Sequence, residues 1–269
     1  MPRSSALRVA VNGAAGRMGR LVIADVLEHD DLALVGAADR PGHPDIGRDA
    51  GALCGKWNVG VYLSEPTPVP FAEAEVVVDF SLPGGTLALL DVLEGQALVT
   101  GTTGLEAAQL NRIAAYALRA PVVQASNFST GVNLLLGLVA QAAALAPGFD
   151  VEIVEMHHRL KRDAPSGTAL ALGEAVAGAR GVALDAVGRH GRAGETGPRS
   201  EGEIGLHALR GGDIIGEHTV YLAGPGERLA LGHLATSRAA FASGALRAAL
   251  WVAGKPAGLY EMRDVLGMR

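Results

Sequence analysis

The sequence predicts an α/β protein of two lobes, one a parallel sheet covered by helices and the other an α+β lobe with a mixed open sheet. Three observations predict it. Through the first half, short apolar runs alternate with helical patterns, the mark of parallel βαβ units whose sheet is buried on both faces. After about Ser129 the character changes to one long apolar helix and several strand-like runs joined by short, glycine-containing turns. The 269 residues, 49% hydrophobic and 19% charged, suffice for one large core or two modest ones.

Taken in order, Leu7–Asn12 reads as a buried strand and residues 17–28 as a helix. Leu32–Ala38 and residues 76–80 follow as strands, then a helix over 86–93. Ala97–Thr100 (strand), 105–118 (helix) and 122–124 (strand) complete the alternation. Residues 40–70, rich in Gly and Pro, read as loop. In the second half a helix over 132–145 leads to a strand at 151–155, and a second helix covers 168–179. Residues 188–202 read as a polar loop. Strand-like runs then occupy Ile204–Arg210, 217–222 and 228–235. The turns between them are short enough to favour antiparallel neighbours. Ala239–Val252 is the last helix, followed by a tail.

The bulk numbers exclude several classes of function. A net charge of −5 gives no basic field to hold nucleic acid or a membrane surface. A single cysteine, Cys54, rules out an internal disulfide and suits a reducing compartment. The start, Met1-Pro2-Arg3-Ser4-Ser5-Ala6, has no apolar leader segment, and no run is long enough to span a bilayer. The cytoplasm is the expected location.

Between the first strand and its helix lies Gly13-Ala14-Ala15-Gly16-Arg17-Met18-Gly19. Glycines there permit a sharp turn and bring backbone N–H groups against a pyrophosphate at the positive end of the helix. Asp39 closes the second strand, where a Rossmann-like lobe places an acid on the ribose hydroxyls of a dinucleotide. Arg40 follows at once and can pair with the extra phosphate of NADPH. The pair leaves NADH and NADPH both open, and a solvated Asp-Arg pair opening the Pro41-Gly42 turn is the plain alternative. Gly101-Thr102-Thr103-Gly104 and Ser126-Asn127-Phe128-Ser129 sit at strand ends on the expected ligand side, where they can meet a nicotinamide or simply form turns.

Glu155-Met156-His157-His158-Arg159-Leu160-Lys161-Arg162-Asp163 carries six ionisable residues in its last seven positions. Such a cluster predicts an acidic ligand, depressed pKa values or plain solvation. Zinc fails on charge and ligand count, because adjacent histidines on a strand face opposite ways and no cysteine lies nearby. Ala164-Pro165-Ser166-Gly167-Thr168 then opens an apolar helix. Ser166 or Thr168 can serve simply as its N-cap, and the helix end also offers N–H donors to a carboxylate. Strand, cationic loop and helix start together make a plausible dicarboxylate receptor.

Over nearly its whole length the chain resembles the 4-hydroxy-tetrahydrodipicolinate (dihydrodipicolinate) reductase family. The resemblance runs through Gly13-x-x-Gly16-Arg17-Met18-Gly19, Gly101-Thr102-Thr103-Gly104 and Asn127-Phe128-Ser129. It continues through Glu155-x-His157-His158-x-x-Lys161-x-Asp163-Ala164-Pro165-Ser166-Gly167-Thr168-Ala169. The segments Arg192-x-Gly194-x-Thr196-Gly197-x-Arg199 and Gly212-Asp213-Ile214-x-Gly216-Glu217-His218 agree as well.

The resemblance implies an NADH- or NADPH-dependent reductase in which Gly13, Ala14, Ala15, Gly16, Arg17 and Met18, with Asp39 and Arg40, hold the cofactor. Gly101, Thr102, Thr103, Ala125, Ser126, Asn127 and Phe128 would complete that set. It implies His157 as the acid/base residue and Lys161 as the proton donor. His158, Lys161, Ser166, Gly167 and Thr168 would hold the two carboxylates of a small cyclic substrate. It further implies residues 1–129 and 237–269 as the dinucleotide-binding domain, 130–236 as the substrate-binding and oligomerisation domain, and a homotetramer. Leu82 stands where some members carry a basic residue, and Ala15 and Asp39 replace Gly and Glu of some relatives.

Two other readings compete. A non-catalytic NAD(P) sensor has no need of the intact His157, His158, Lys161 and Ser166-Gly167-Thr168 set. An aspartate or homoserine dehydrogenase would need a different acid/base set.

Overall fold

Runs such as Leu7–Asn12 and Val76–Asp79 are apolar nearly throughout, which suits strands covered on both faces. The computed structural model describes residues 6–268; the first five residues, where the leader-free start was read, and residue 269 lie outside the described residues. The first unit, Met1–Thr130 with Arg238–Arg269, opens with β1 (Leu7–Asn12), α1 (Arg17–Leu27), β2 (Leu32–Ala38), α2 (Ala50–Leu53) and β3 (Leu63–Ser64). It continues with β4 (Val76–Asp79), α3 (Pro83–Val92), β5 (Ala97–Thr100), α4 (Ala107–Ala117) and β6 (Pro121–Gln124). The second unit, Gly131–Ser237, holds α5 (Thr130–Leu145) from its second residue, β7 (Asp150–His157), α6 (Gly167–Ala179) and α7 (Leu184–Val187). Then come β8 (Gly188–His190), β9 (Ile204–Arg210), β10 (Gly216–Gly224) and β11 (Glu227–Ala235). The chain closes in the first unit with α8 (Ala239–Val252), β12 (Gly258–Tyr260) and α9 (Met262–Val265).

In the first unit seven strands run parallel in the order β12-β6-β5-β4-β1-β2-β3. The order reverses between β1 and β4, the switch point at which such sheets bind ligands beyond their carboxyl ends. The two-residue period divides the strands between two cores. Val76 and Val78 join one with α1 and α8, and Val77 joins the other with α3 and α4. Gly244 lets α8 lie close to the backbone of Phe128, where any Cβ would overlap the carbonyl.

In the second unit the sheet is mixed, in the order β11-β10-β7-β9-β8, with one face packed by α5 and α6 through Leu135, Val139, Leu172 and Val176. The turn at 225–226 makes β10 and β11 antiparallel neighbours, as its length predicts. The expectation that β9 and β10 also pair is wrong, because β7 lies between them, parallel to β9 and antiparallel to β10. Residues 211–215 need only span two strand spacings, roughly 10 Å. They pass over the end of β7, held by the Gly211 amide on the His157 carbonyl (2.9 Å) and the Arg159 amide on that of Gly212 (3.2 Å). Both edges of the central strand are thereby hydrogen-bonded.

Three short stretches read as loop or tail contain structure. Within 40–70, Asp49 caps α2 by accepting from the amides of Gly51 (2.9 Å) and Ala52 (3.1 Å), and Leu63–Ser64 adds a strand. Residues 188–190 form β8, and the tail supplies β12. Elements this short show no hydrophobic period. No helix among the described residues is long and apolar enough to cross a membrane.

Candidate functional site

At the switch point the first unit carries a cleft of about 820 Å³. Gly13 turns the chain there with φ +73°, and a Cβ on it would stand 2.6 Å from the Phe80 carbonyl oxygen. Only glycine fits this position. Gly16 stands just before α1 in extended conformation, and Gly19 seats the helix against the turn, since a Cβ there would overlap Gly13. Asp39 accepts from the Ala15 amide (2.9 Å) and the Arg40 amide (2.8 Å), joining the end of β2 to the glycine turn.

The predicted residues Gly13, Gly16, Arg17, Met18, Asp39 and Arg40 line the cleft from one side, and Gly101 and Thr103 from the other. Arg17 and Arg40 are exposed. Ala14 is buried in the core and reaches no ligand by its side chain, and Thr102 turns inward. Ala125, Ser126, Asn127 and Phe128 do not form the wall. Phe128 is buried edge-to-face on Phe80, whose ring does line the cleft, with centroids 5.7 Å apart.

In the second unit two of the predicted residues, His157 and Ser166, meet on a group that the sequence reading left without a role, Glu155. Two residues apart on β7, Glu155 and His157 face the same way. Their side chains meet at 2.6 Å between Oε2 and Nδ1. Arg210, opposite His157 in the register with β9, grips the same carboxylate with two bonds of 2.9 and 2.8 Å. The Ser166 amide donates to Glu155 Oε1 (3.1 Å), which ties the head of α6 to the strand. Ser166 is the helix N-cap, accepting from the Ala169 amide at 3.2 Å, and its hydroxyl lies 2.9 Å from His218 Nε2. It is only 2% exposed, whereas Gly167 at the helix start is exposed. His218 lies opposite Glu155 on β10 and stacks edge-to-face on His157. Gly216 leaves room for the His157 ring, since a Cβ there would lie 3.0 Å from Nε2.

Lys161 is drawn back by a turn bond from its amide to the His158 carbonyl (3.1 Å), and its ammonium pairs with Asp163 at 2.8 and 3.0 Å. His158 Nδ1 is buried with no hydrogen-bond partner, an arrangement rare enough to need a reason. The electrostatics follow from burial. Desolvation lowers the His157 pKa, assisted by Lys161 and Arg210 and opposed by Glu155. His218 is pushed down to about 4, by burial first and by His157 second. Burial would raise Glu155, but the bonds from Arg210 and His157 outweigh it and hold the carboxyl below its usual value.

Sequence reasoning missed Glu155 as an anchor, together with Arg210 and His218. The signal for Glu155 was its place two residues before His157. Arg210 and His218 come from distant strands, and only the register brings them in.

The parallel sheet with its glycine turn at the switch point defines a dinucleotide-binding fold, joined here to a unit with a buried histidine–carboxylate cluster. The chain belongs to the dihydrodipicolinate reductase family, whose N-terminal model matches residues 7–128 and whose C-terminal model matches residues 131–266. It is 50% identical over 264 residues to a 4-hydroxy-tetrahydrodipicolinate reductase of Ruegeria pomeroyi, covering 97% of this chain and 98% of the relative. A 4-hydroxy-tetrahydrodipicolinate reductase of Thiobacillus denitrificans is 52% identical over 266 residues, 98% of this chain and 99% of the relative. Among solved structures, a dipicolinate-bound dihydrodipicolinate reductase from Paenisporosarcina sp. TG-14 shares the fold. Its TM-score is 0.73 at 24% identity, over 96% of this chain and 98% of that one.

Proposed function

We propose that this chain catalyses the NADH- or NADPH-dependent reduction of 4-hydroxy-tetrahydrodipicolinate, by way of dihydrodipicolinate, to tetrahydrodipicolinate. The reaction would serve lysine and diaminopimelate biosynthesis. The observation that carries the reading is the buried Glu155 carboxylate, which binds His157, Arg210 and the head of α6 into one cluster, in a chain matched to its relatives almost end to end.

The cleft fits a dinucleotide. Gly13 provides the close backbone approach a pyrophosphate needs, and the lone pairs Asp39 retains suit ribose hydroxyls. The exposed Arg17 and Arg40 suit a 2′-phosphate. Gly13, Gly16, Arg17, Met18, Asp39, Arg40, Gly101 and Thr103, which line the cleft, would hold it, and when bound it supplies the hydride for C4 of the ring. The remaining chemistry belongs to the chain. With Nδ1 held by Glu155, His157 presents Nε2 for proton exchange, and its lowered pKa keeps a neutral imidazole at pH 7. Lys161 supplies positive charge and a proton to a ring that has gained electron density. His158, the Lys161 ammonium and the α6 terminus at Gly167 and Thr168 would receive the two carboxylates. Ser166, spent on the cap and on Glu155, fixes the turn from which Gly167 and Thr168 emerge.

The proposal extends to a homotetramer built on the second-unit sheet. Its face away from α5 and α6 exposes Leu209, Tyr221 and Leu234, and light scattering tests the assembly. The half-buried lone Cys54 suits a cytoplasmic location. The activity is tested by mixing the protein with NADH or NADPH and the freshly made condensation product of pyruvate and aspartate semialdehyde. Oxidation of either cofactor above the control without substrate is expected; oxidation of neither overturns the reading.

A further inference from the structure

Asp79 ends β4 with no solvent exposure, and nothing in the proposed proton chemistry uses it. Its two oxygens collect hydrogens from five residues. Oδ1 accepts from Asn12 Nδ2 (2.9 Å) and from the Ser81 hydroxyl (2.6 Å) and amide (3.2 Å). Oδ2 accepts from the hydroxyls of Thr86 (2.7 Å), Thr100 (2.9 Å) and Thr102 (3.1 Å). No lysine or arginine among the described residues pairs with it, so every partner is a neutral donor. A buried carboxyl is tolerated only when fully hydrogen-bonded, and this set matches a group that only accepts.

These donors stand where the chain leaves the sheet beside the cleft. Ser81, Gly101 and Thr103 line it, Thr102 sits between the last two, and Thr86 lies in the first turn of α3. Asp79 is therefore the common anchor of the two loops that follow β4 and β5. The glycine turn has its own fastenings: the Ala14 amide on the Ala38 carbonyl (3.0 Å), the Gly16 amide on that of Gly13 (3.0 Å), and Ala15 on Asp39. With Asp39 and Arg40 on the β2 side of that turn for the adenosine ribose, the β4 side is left for the nicotinamide.

We infer that Asp79 is a positioning residue that fixes the loops after β4 and β5 as the receptor for the nicotinamide half of the dinucleotide, leaving the ADP-ribose half to the glycine turn. The inference rests on the cofactor part of the proposed function. It is tested by titrating wild type and Asp79→Asn with NADH and, separately, with ADP-ribose. The amide turns an NH2 toward hydroxyl donors. NADH binding is expected to weaken about tenfold or more while ADP-ribose binding stays within about twofold. At saturating NADH the variant's kcat falls as well. If Asp79→Asn fails to fold, Thr102→Val removes a single donor and is expected to show the same split with a smaller loss. Equal loss for both ligands, or loss for neither, overturns the inference. Wild type that binds neither ligand overturns the cofactor reading itself and the inference with it, so the wild-type arm separates the two failures.

Discussion

Glu155 and His157 occupy alternate positions on one strand, and their side chains meet at 2.6 Å with the carboxylate wholly buried and the imidazole at its edge. Arg210 neutralises the carboxylate from the neighbouring strand, so the histidine gains an oriented partner without a net buried charge. An anchored imidazole beside a lysine suits proton transfer.

His157→Ala and Lys161→Ala are expected to lower kcat by about 100-fold or more, with NADH affinity nearly unchanged. Steady-state kinetics beside direct NADH titration checks this. A loss of cofactor binding as large as the loss of kcat would make both residues structural.

Glu155→Gln removes the charge that Arg210 and His157 both use, within a pair whose carboxylate is fully buried. The expected destabilisation is roughly 3–5 kcal/mol, the cost of breaking a buried pair on one side. Urea unfolding measures it, and a change below about 0.5 kcal/mol, the range of ordinary surface substitutions, would contradict the role of Glu155 as anchor.

Acid should weaken the fold in two stages. His218, with its pKa pushed down to about 4 by burial and by His157, is neutral in the folded protein. Between its unfolded value near 6.5 and about 4 the unfolded chain binds more protons, so stability rises with pH across that window. It is complete above 6.5 and lost toward 4; the His218 contribution is on the order of 3 kcal/mol. His157 is lowered too, by burial first, and adds in the same direction. Glu152 then acts. Burial works against it, but Arg192, His207 and Arg199 lower it to about 2, so its contribution, complete above about 4.5, is lost as pH falls through 2. Melting temperature measured from pH 8 to 4 should fall below pH 6.5, and His218→Gln should flatten that slope. An unchanged slope in the variant would rule out His218 as its source.

The parallel lobe was legible because its strands are buried on both faces and its glycine turn needs residues that only sequence can supply, as Gly13 shows with φ +73°. The His157–Lys161 cluster was legible because its members are adjacent in the chain. Arg210 and His218 were not, because they join Glu155 only through the pairing of β9 and β10 with β7. The same pairing defeated the expected β9–β10 hairpin, since turn length limits which strands can be joined without deciding which one lies between. Asp79 looked like the end of an apolar strand, and its donors are spread over residues 12 to 102.

Arg40→Ala is expected to weaken NADPH by about tenfold, the worth of one charge-assisted bond, and to leave NADH within about twofold. Fluorescence titration with the two cofactors decides it. Equal loss for both would remove Arg40 from the 2′-phosphate site.

The most direct measurement follows the transferred hydrogen. A dinucleotide deuterated at its transferable position is turned over with the condensation product of pyruvate and aspartate semialdehyde, and the product is read by NMR. One deuterium on ring C4 is the predicted result. Oxidation of the cofactor with no deuterium in the product, or with deuterium at another carbon, would contradict the account.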